Sequence, residues 1–577
     1  MEKEKKNKKL NQNSFYFEDY DHHSKNESVK NKVNISEDRV YLLFFVFFCL
    51  IFIFAIKIFL TSLKDPFLRQ TVQSYSIFKP LRNDIVDRNG EPIARNIKVY
   101  HAAIRPNLIK DKKRFILKLK LFYPKLDVQI INKNLKKNKY FYLKQNITEE
   151  ERFKLWSLGE KGLLFEETQT RIYPHKNLFS HVLGQIDLDN NGISGVEKYF
   201  DKDLKTNGDK PLNLSLDINL QYLIRDELLN SISNFNAKGA ASVLMDIDTG
   251  EVLSLVSLPD YDLNVRQEIK DENFTNKITK GVFELGSIFK TFTITLALEN
   301  KLFSPDTVIK DIPNEIKCSK YTITEHDELP SSLTLRDILV RSSTIGTIKI
   351  AKQIGKNKLK KFLEDLNLLN ALNFELDEIG SPLHFIWNKC KLETVSYGHG
   401  ITTTPLQAAT AYASILNGGF IINPTLIKDK NSNLNKNKTR IITFETSKKI
   451  NSILRAVVTS DKGTATLAEV DGYYVAGKTG TAKKNINGQY INKKLTSFIS
   501  VFPSVSPKYI LLVLIDEPHP APQIVYNYKG KKISGIRRND SGWNSVYTVG
   551  KIIKKIGPIL AINKNDFYNN HVVKKSN

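Results

Sequence analysis

From Val40 to Ile56 the chain reads Val-Tyr-Leu-Leu-Phe-Phe-Val-Phe-Phe-Cys-Leu-Ile-Phe-Ile-Phe-Ala-Ile without a charge, and Lys57 is followed by Ile-Phe-Leu. Hydrocarbon cannot hydrogen-bond an open backbone, so a run of this length and polarity is restricted to a helix that spans a bilayer. A cleaved leader is the competing reading, but the polar segment in front is too long for one and no small-residue cleavage site follows. Residues 39–63 are therefore expected as a transmembrane helix. Met1 to Asp38, polar and rich in Lys and Asn, is expected as a disordered tail, with His22-His23 solvated in it. Lys3, Lys5, Lys6, Lys8, Lys9 and Arg39 precede the span, so the positive-inside rule puts the N-terminus in the cytoplasm and everything after about residue 65 outside.

At 577 residues the chain exceeds one ordinary core, and two or more domains are expected. The net charge of +25 raises the question of nucleic acid, yet the lysines are scattered over all regions. No basic arm, finger or base-reading helix is present, so no nucleic-acid partner is expected, and compositional drift, with some attraction to an anionic membrane or polymer, accounts for the charge. Cys49 lies in the span, and Cys318 and Cys390 beyond it fit no metal spacing. A disulfide between the latter two needs an oxidising compartment; buried free thiols are the expectation. Neither a metal nor a cofactor is expected.

Residues 64–211 are Lys-rich with short strand-like runs and turn signals at Asn89-Gly90 and Asn190-Asn191-Gly192. This region offers no nucleophile constellation, and its charges are expected as structural ion pairs. A second domain is expected over 212–563, with a polar tail at 564–577. It opens with an amphipathic helix from Asp217 to Ser233 and a hairpin from Ala241 to Ser257 turned at Asp248-Thr249-Gly250. Strands return at Tyr474 to Ala482, Ser497 to Val505 and Tyr509 to Asp516. Helices are expected around Leu335 to Gln353, at Pro405 to Leu416 and at Val549 to Ile562. Strands at both ends with helices between them give an α+β layer architecture, one antiparallel sheet flanked by helices.

The chemistry begins at Gly286-Ser-Ile-Phe-Lys290. A serine and a lysine three residues apart share one helical face, the placement a nucleophile and its base require. The same four letters occur at Ser76-Ile-Phe-Lys79, but Pro80 follows and forbids the helix that would align them. After Lys290 an apolar run continues to Asn300 without Gly or Pro, so Ser287 sits at a helix N-terminus, where developing negative charge is favoured. Taken alone, Ser287 reads first as a capping serine on an ordinary core helix. A distant Lys478-Thr-Gly480 in a strand-like segment supplies an edge that can hold a substrate.

With these motifs in order, together with Val340-Arg-Ser-Ser-Thr-Ile-Gly346, Tyr397-Gly-His-Gly-Ile-Thr-Thr-Thr-Pro-Leu-Gln407 and Val475-Ala-Gly-Lys-Thr-Gly-Thr-Ala482, the chain resembles the penicillin-binding proteins. Arg82 to Gly90 and the patches from Arg171 to Glu197 look like the β-rich pedestal of the class B, monofunctional branch. No glycosyltransferase domain is expected before it. Ser-Ser-x-Ile-Gly and Gly542-Trp-Asn544 look more like the division-specific FtsI type than the elongation-specific type, and the resemblance covers about residues 74–563.

The resemblance implies the penicillin-binding transpeptidase fold and a peptidoglycan D,D-transpeptidase in the inner membrane, its catalytic domain periplasmic and at the division septum. It implies Ser287 as acylated nucleophile, Lys290 as base with its pKa lowered by burial and by Lys478, and Ser342 as proton shuttle. Lys478 and Thr479 are implied to hold the D-Ala carboxylate. The N–H groups of Ser287 and Thr481 are implied as oxyanion hole, and Gly480 to leave room for substrate backbone. Stem peptides, β-lactam inhibitors, the membrane, a SEDS-type lipid II polymerase (FtsW) and other divisome proteins are the implied partners. One departure stands out: Thr344 occupies the place of the family's Asn, and a β-branched hydroxyl replaces only part of an amide's hydrogen bonding. A weakly active or inactive divisome component, an elongation-specific transpeptidase and a penicillin-hydrolysing or penicillin-sensing protein are the alternatives.

Overall fold

The computed structural model describes residues 37–62, 81–124, 126–206, 210–265, 274–319, 321–430, 439–486, 489–536 and 538–562. The Ser76-to-Lys79 copy, His22-His23 and the tail at 564–577 lie outside them. Helix α1 spans Glu37–Ser62, starting two residues earlier than expected. Within it Tyr41–Leu60 is apolar throughout apart from Lys57, and at a rise of about 1.5 Å per residue α1 exceeds the roughly 30 Å of a hydrocarbon core.

After residue 80 the chain builds a five-stranded sheet from β1 (Ile85–Val86), β2 (Pro92–Ile104), β3 (Phe141–Ile147), β4 (Leu163–Ile172) and β5 (Leu212–Asn213). Its strands run in the order β3-β2-β1-β5, with β4 also on β2. The Asn89-Gly90 turn joins β1 to β2, Gly90 taking φ +89° and the Asp87 carboxylate accepting from the N–H groups of Asn89 and Glu91. Three charges lie buried beneath. Arg82 pairs with Glu197 at 2.5 Å and with Asp201 at 2.6 Å, and Arg171 reaches the other oxygen of Glu197 at 2.8 Å. Unpaired, each of these ions carries a desolvation cost of several kcal/mol; paired, they tie Arg82, at the entry to this region, to segments about a hundred residues away.

The larger part begins with helix α2 (Ile218–Phe235), capped by the Asp217 carboxylate on the N–H groups of Asn219 and Leu220. The strands β6 (Gly239–Asp246) and β7 (Val252–Leu258) form the expected hairpin, its turn closed by Gly250 at φ +75°. They join β8 (Ala476–Ile486), β9 (Gln489–Phe502) and β10 (Tyr509–Asp516) in one antiparallel sheet ordered β8-β9-β10-β6-β7. Every residue of β10 is buried, as a central strand covered on both faces demands. The terminal helix α10 (Ser545–Ile562) packs with α2 against the sheet, and four elements fill the middle: α3 (Lys290–Glu299), α8 (Pro405–Leu416), α9 (Phe444–Thr459) and the segment 335–354. The sheet with helices around it is the expected α+β arrangement.

Two expectations are corrected. Residues 335–353 form two helices, α4 (Leu335–Val340) and α5 (Thr344–Ile354). They break because Ser342 adopts the left-handed region, φ +60°, and Ser343 caps the second helix by accepting from the N–H of Gly346 at 3.0 Å. Cys318 and Cys390 are not buried thiols: they form a disulfide, Cα to Cα 5.7 Å, with both residues half-buried. It joins a short hairpin, Glu315–Cys318 with Tyr321–Thr324, to the start of helix α7 (Lys391–Ser396), which follows α6 (Lys356–Asp365).

Candidate active site

Ser287 lies in a single 3-10 turn, Gly286–Phe289, that runs straight into α3, whose first residue is Lys290. The turn packs against β8: a Cβ on Gly286, which takes φ +60°, would stand 2.7 Å from the carbonyl oxygen of Thr481. The break between α4 and α5 then brings Ser342 over Lys290. Lys290 Nζ donates to the Ser342 carbonyl at 2.5 Å, to Thr344 Oγ1 at 3.1 Å and to Ser342 Oγ at 3.3 Å. From the strand side, Lys478 Nζ donates to the same Ser342 Oγ at 2.9 Å. With both lone pairs of that oxygen engaged, its own hydrogen is free to point at a third atom.

Both amines are buried. Burial pushes Lys290 down to about 7, against the opposing pull of Glu325 and Asp327. Lys478 is driven well below its ordinary value by burial first and by the charge of Lys290 second. Burial alone lowers Lys290; the expected effect of one lysine on the other falls on Lys478 instead.

Ser287, Ser342, Thr344, Thr479 and Thr481 line one cleft of about 750 Å³, and Lys290 reaches its floor. Lys478 lies beneath the wall, fully buried, also donating to Thr479 Oγ1 at 3.2 Å, and Thr479 Oγ1 pairs with Thr464 Oγ1 at 3.0 Å. Gly480 has a different task from the one expected. A side chain there would meet the Leu285 carbonyl at 2.4 Å and Ser497 Oγ at 2.6 Å, so the missing Cβ lets β8 close onto the Ser287 turn.

Three further features were not singled out from sequence. Thr464 follows Gly463 in an irregular loop, with only a Gly-Thr pair to mark it. Glu284, three residues before Ser287, accepts from Tyr490 Oη at 2.8 Å and lies 3.3 Å from His399 Nδ1. Burial works to raise its pKa, but the bonds from His399 and Tyr490 outweigh that and hold the carboxyl below its ordinary value. Glu325, in the acidic run Glu325-His-Asp-Glu328 of an otherwise basic chain, binds the start of α5.

Comparison with known proteins places this cleft. The penicillin binding protein transpeptidase domain matches residues 240–538, from the first sheet strands to the cleft's far rim, and the penicillin-binding protein dimerisation domain matches residues 77–210. The chain belongs to the penicillin-binding protein transpeptidase family. Relatives include the probable peptidoglycan D,D-transpeptidase FtsI of Caulobacter vibrioides, 29% identical with 84% of this chain and 82% of that one covered. The peptidoglycan D,D-transpeptidase FtsI of Buchnera aphidicola subsp. Baizongia pistaciae is 30% identical, with 86% of this chain and 92% of that one covered. Among solved structures, penicillin binding protein 3 of Mycobacterium tuberculosis, complexed with aztreonam, shares the fold with a TM-score of 0.61 at 21% identity, over 83% of this chain and 97% of that one. In this family member, therefore, the sheet edge at β8 and the paired lysines belong to a transpeptidase domain.

Proposed function

We propose that the chain is a peptidoglycan D,D-transpeptidase of the FtsI type that cross-links stem peptides during septal wall synthesis through a serine acyl-enzyme. Residues 39–63 anchor it in the inner membrane with the N-terminus cytoplasmic, 64–211 form the pedestal, and 212–563 form the periplasmic transpeptidase unit. The observation that carries the reading is the convergence of Lys290 and Lys478 on Ser342 Oγ, in the cleft that Ser287 lines.

Neutral Lys290 takes the proton of Ser287 Oγ as that oxygen bonds to the penultimate D-Ala carbonyl carbon. The carbonyl becomes an oxyanion facing the N–H groups of Ser287 and Thr481, where one lost donor costs on the order of 3 kcal/mol of barrier. The carbon–nitrogen bond then breaks, the leaving amine takes a proton relayed through Ser342, and D-Ala departs. Ser342 fits a relay because its oxygen receives both lysines while its hydrogen stays available. In the second half-reaction a stem amine attacks the ester, its proton passes back through the same groups, and Ser287 is restored. Thr479, with Lys478 behind it, receives the terminal carboxylate, and Thr481 adds a donor at the edge.

A β-lactam that mimics the D-Ala-D-Ala end acylates Ser287 by the same first step. A SEDS-type polymerase and other divisome proteins are proposed partners of the membrane helix and pedestal. The test is a D-Ala-D-Ala-terminated stem peptide supplied with an amine acceptor: release of free D-Ala together with a cross-linked product is expected, and an unconsumed peptide would reject the activity.

A further inference from the structure

Glu325 stands outside every motif discussed so far, yet its carboxylate binds the turn that carries Ser342 and Thr344. Its carboxylate accepts from Ser343 Oγ at 2.6 Å, from the N–H of Thr344 at 2.8 Å and from the N–H of Ile345 at 2.9 Å. Ser343 Oγ accepts in turn from the N–H of Gly346. The first N–H groups of α5, which no intrahelical partner can satisfy, are thus bound by one carboxylate and the serine it orients.

An ordinary helix cap would make the same bonds. What differs here is that the capped residues carry the contacts to Lys290. Ser342 supplies its carbonyl and hydroxyl to that amine, and Thr344 supplies Oγ1. Ser342 holds φ +60°, a conformation a serine keeps only where its surroundings impose it. The threonine is short and stiff, so its reach to Lys290 depends on where the backbone is fixed.

We propose that Glu325 is a positioning residue of the acylation site: it locks the Ser342-Ser-Thr344 turn from outside and so holds Lys290 in register with Ser287. This rests on the reading of Ser287 as the acylated residue. Glu325 is itself delivered by a stapled element. It follows the hairpin Glu315–Cys318 and Tyr321–Thr324, its own N–H donates to the Asn314 carbonyl at 3.0 Å, and Cys318 is bonded to Cys390.

The carboxylate also acts through charge. The charged and titratable groups of the cleft are Glu325, His326 and Asp327 from the hairpin side, Arg341 at the turn, Glu284 with His399 on the far wall, and Lys462, Lys483, Arg538 and Asp540 at the remaining edges, with Lys478 buried behind the wall. Of these, Glu325 leads Asp327 in holding the Lys290 amine up against the pull of burial. Removing the negative charge lowers that amine further, so the neutral base appears at lower pH.

The test is the pH profile of acylation of the full chain in detergent by a fluorescent penicillin. Glu325→Gln is expected to label Ser287 still, with its plateau rate down about 10- to 100-fold from misplacement and its acid limb moved down by about one pH unit. Glu325→Asp keeps the charge with altered reach, so its plateau falls while its limb stays. Asp327→Asn, which lacks the turn bonds, moves the limb and keeps the plateau. A Glu325→Gln limb coincident with wild type reduces Glu325 to an ordinary cap and overturns the proposal, as does a plateau within twofold of wild type. Should Glu325→Gln fail to fold, Glu325→Asp decides alone: a fallen plateau with an unmoved limb supports the proposal, and any other profile overturns it. Absence of any adduct on Ser287 in the wild-type chain would instead reject the transpeptidase reading itself.

Discussion

Ser342 Oγ receives two amines that are themselves buried, and two ammonium ions cannot be held there together without a strong penalty. Lys290, at about 7, titrates where the cell works. Its value lies below the ordinary lysine range, so the neutral base is present above pH 7 and is lost as pH falls. Acylation is expected to drop about tenfold per pH unit below 7 and to level above it; stopped-flow labelling across that range checks the slope. Thr344→Asn restores an amide that reaches Lys290 and also offers a donor to substrate. Labelling is expected to rise about fivefold, the worth of one hydrogen bond, and an unchanged or lower rate would count against a role for Thr344. At this scale sequence picked out Ser287, the lysines and the departure at 344 as residues of one cleft, because each sits in a short spaced motif. It gave no notice that Gly480 serves packing, since the obstacle, the Leu285 carbonyl, belongs to another segment.

The site is assembled where elements interrupt themselves. A 3-10 turn before α3, a left-handed serine between α4 and α5, and the edge strand β8 each present one functional group. Periodicity located α8 to the residue and placed the β6–β7 hairpin, because both follow a regular apolar pattern closed by recognised caps and turns. It ran α4 into α5, because apolar positions resume beyond Arg341 to Thr344, while the left-handed Ser342 that makes the break is held by the tertiary contacts of Lys290 and Glu325 as well as by the Ser343 cap. The disulfide was missed for a related reason: its cysteines are 72 residues apart, and the fold alone brings them together. Replacing both with serine is expected to cost roughly 2–4 kcal/mol of stability, read as a lower melting temperature. Labelling should slow as well, because the freed hairpin carries Glu325. A double variant that melts and labels like wild type would show that the bridge holds nothing in place.

At the scale of the whole molecule, the apolar helix α1 and the cleft belong to different stretches of the chain, the cleft being lined by residues between Glu284 and Trp543. A chain lacking residues 1–62 is expected to acylate within about twofold of the full chain, since every residue placed at the cleft is retained, yet to fail in restoring septation to depleted cells. Labelling and complementation on the same variant read the two separately. The buried Arg82–Glu197–Arg171 cluster gives the pedestal its own requirement: Glu197→Gln leaves two arginines underpaired and is expected to cost about 3–5 kcal/mol, measured by thermal unfolding. The membrane span and the α+β plan were plain in sequence because they rest on long runs. The pairing of charges over a hundred residues was not.

The most direct test is the mass of the chain after exposure to a β-lactam, followed by peptide mapping. The account predicts one stable adduct, on Ser287, that disappears in Ser287→Ala and forms far more slowly when Lys290 is replaced by Met. An adduct on another residue, or one that survives Ser287→Ala, would contradict it.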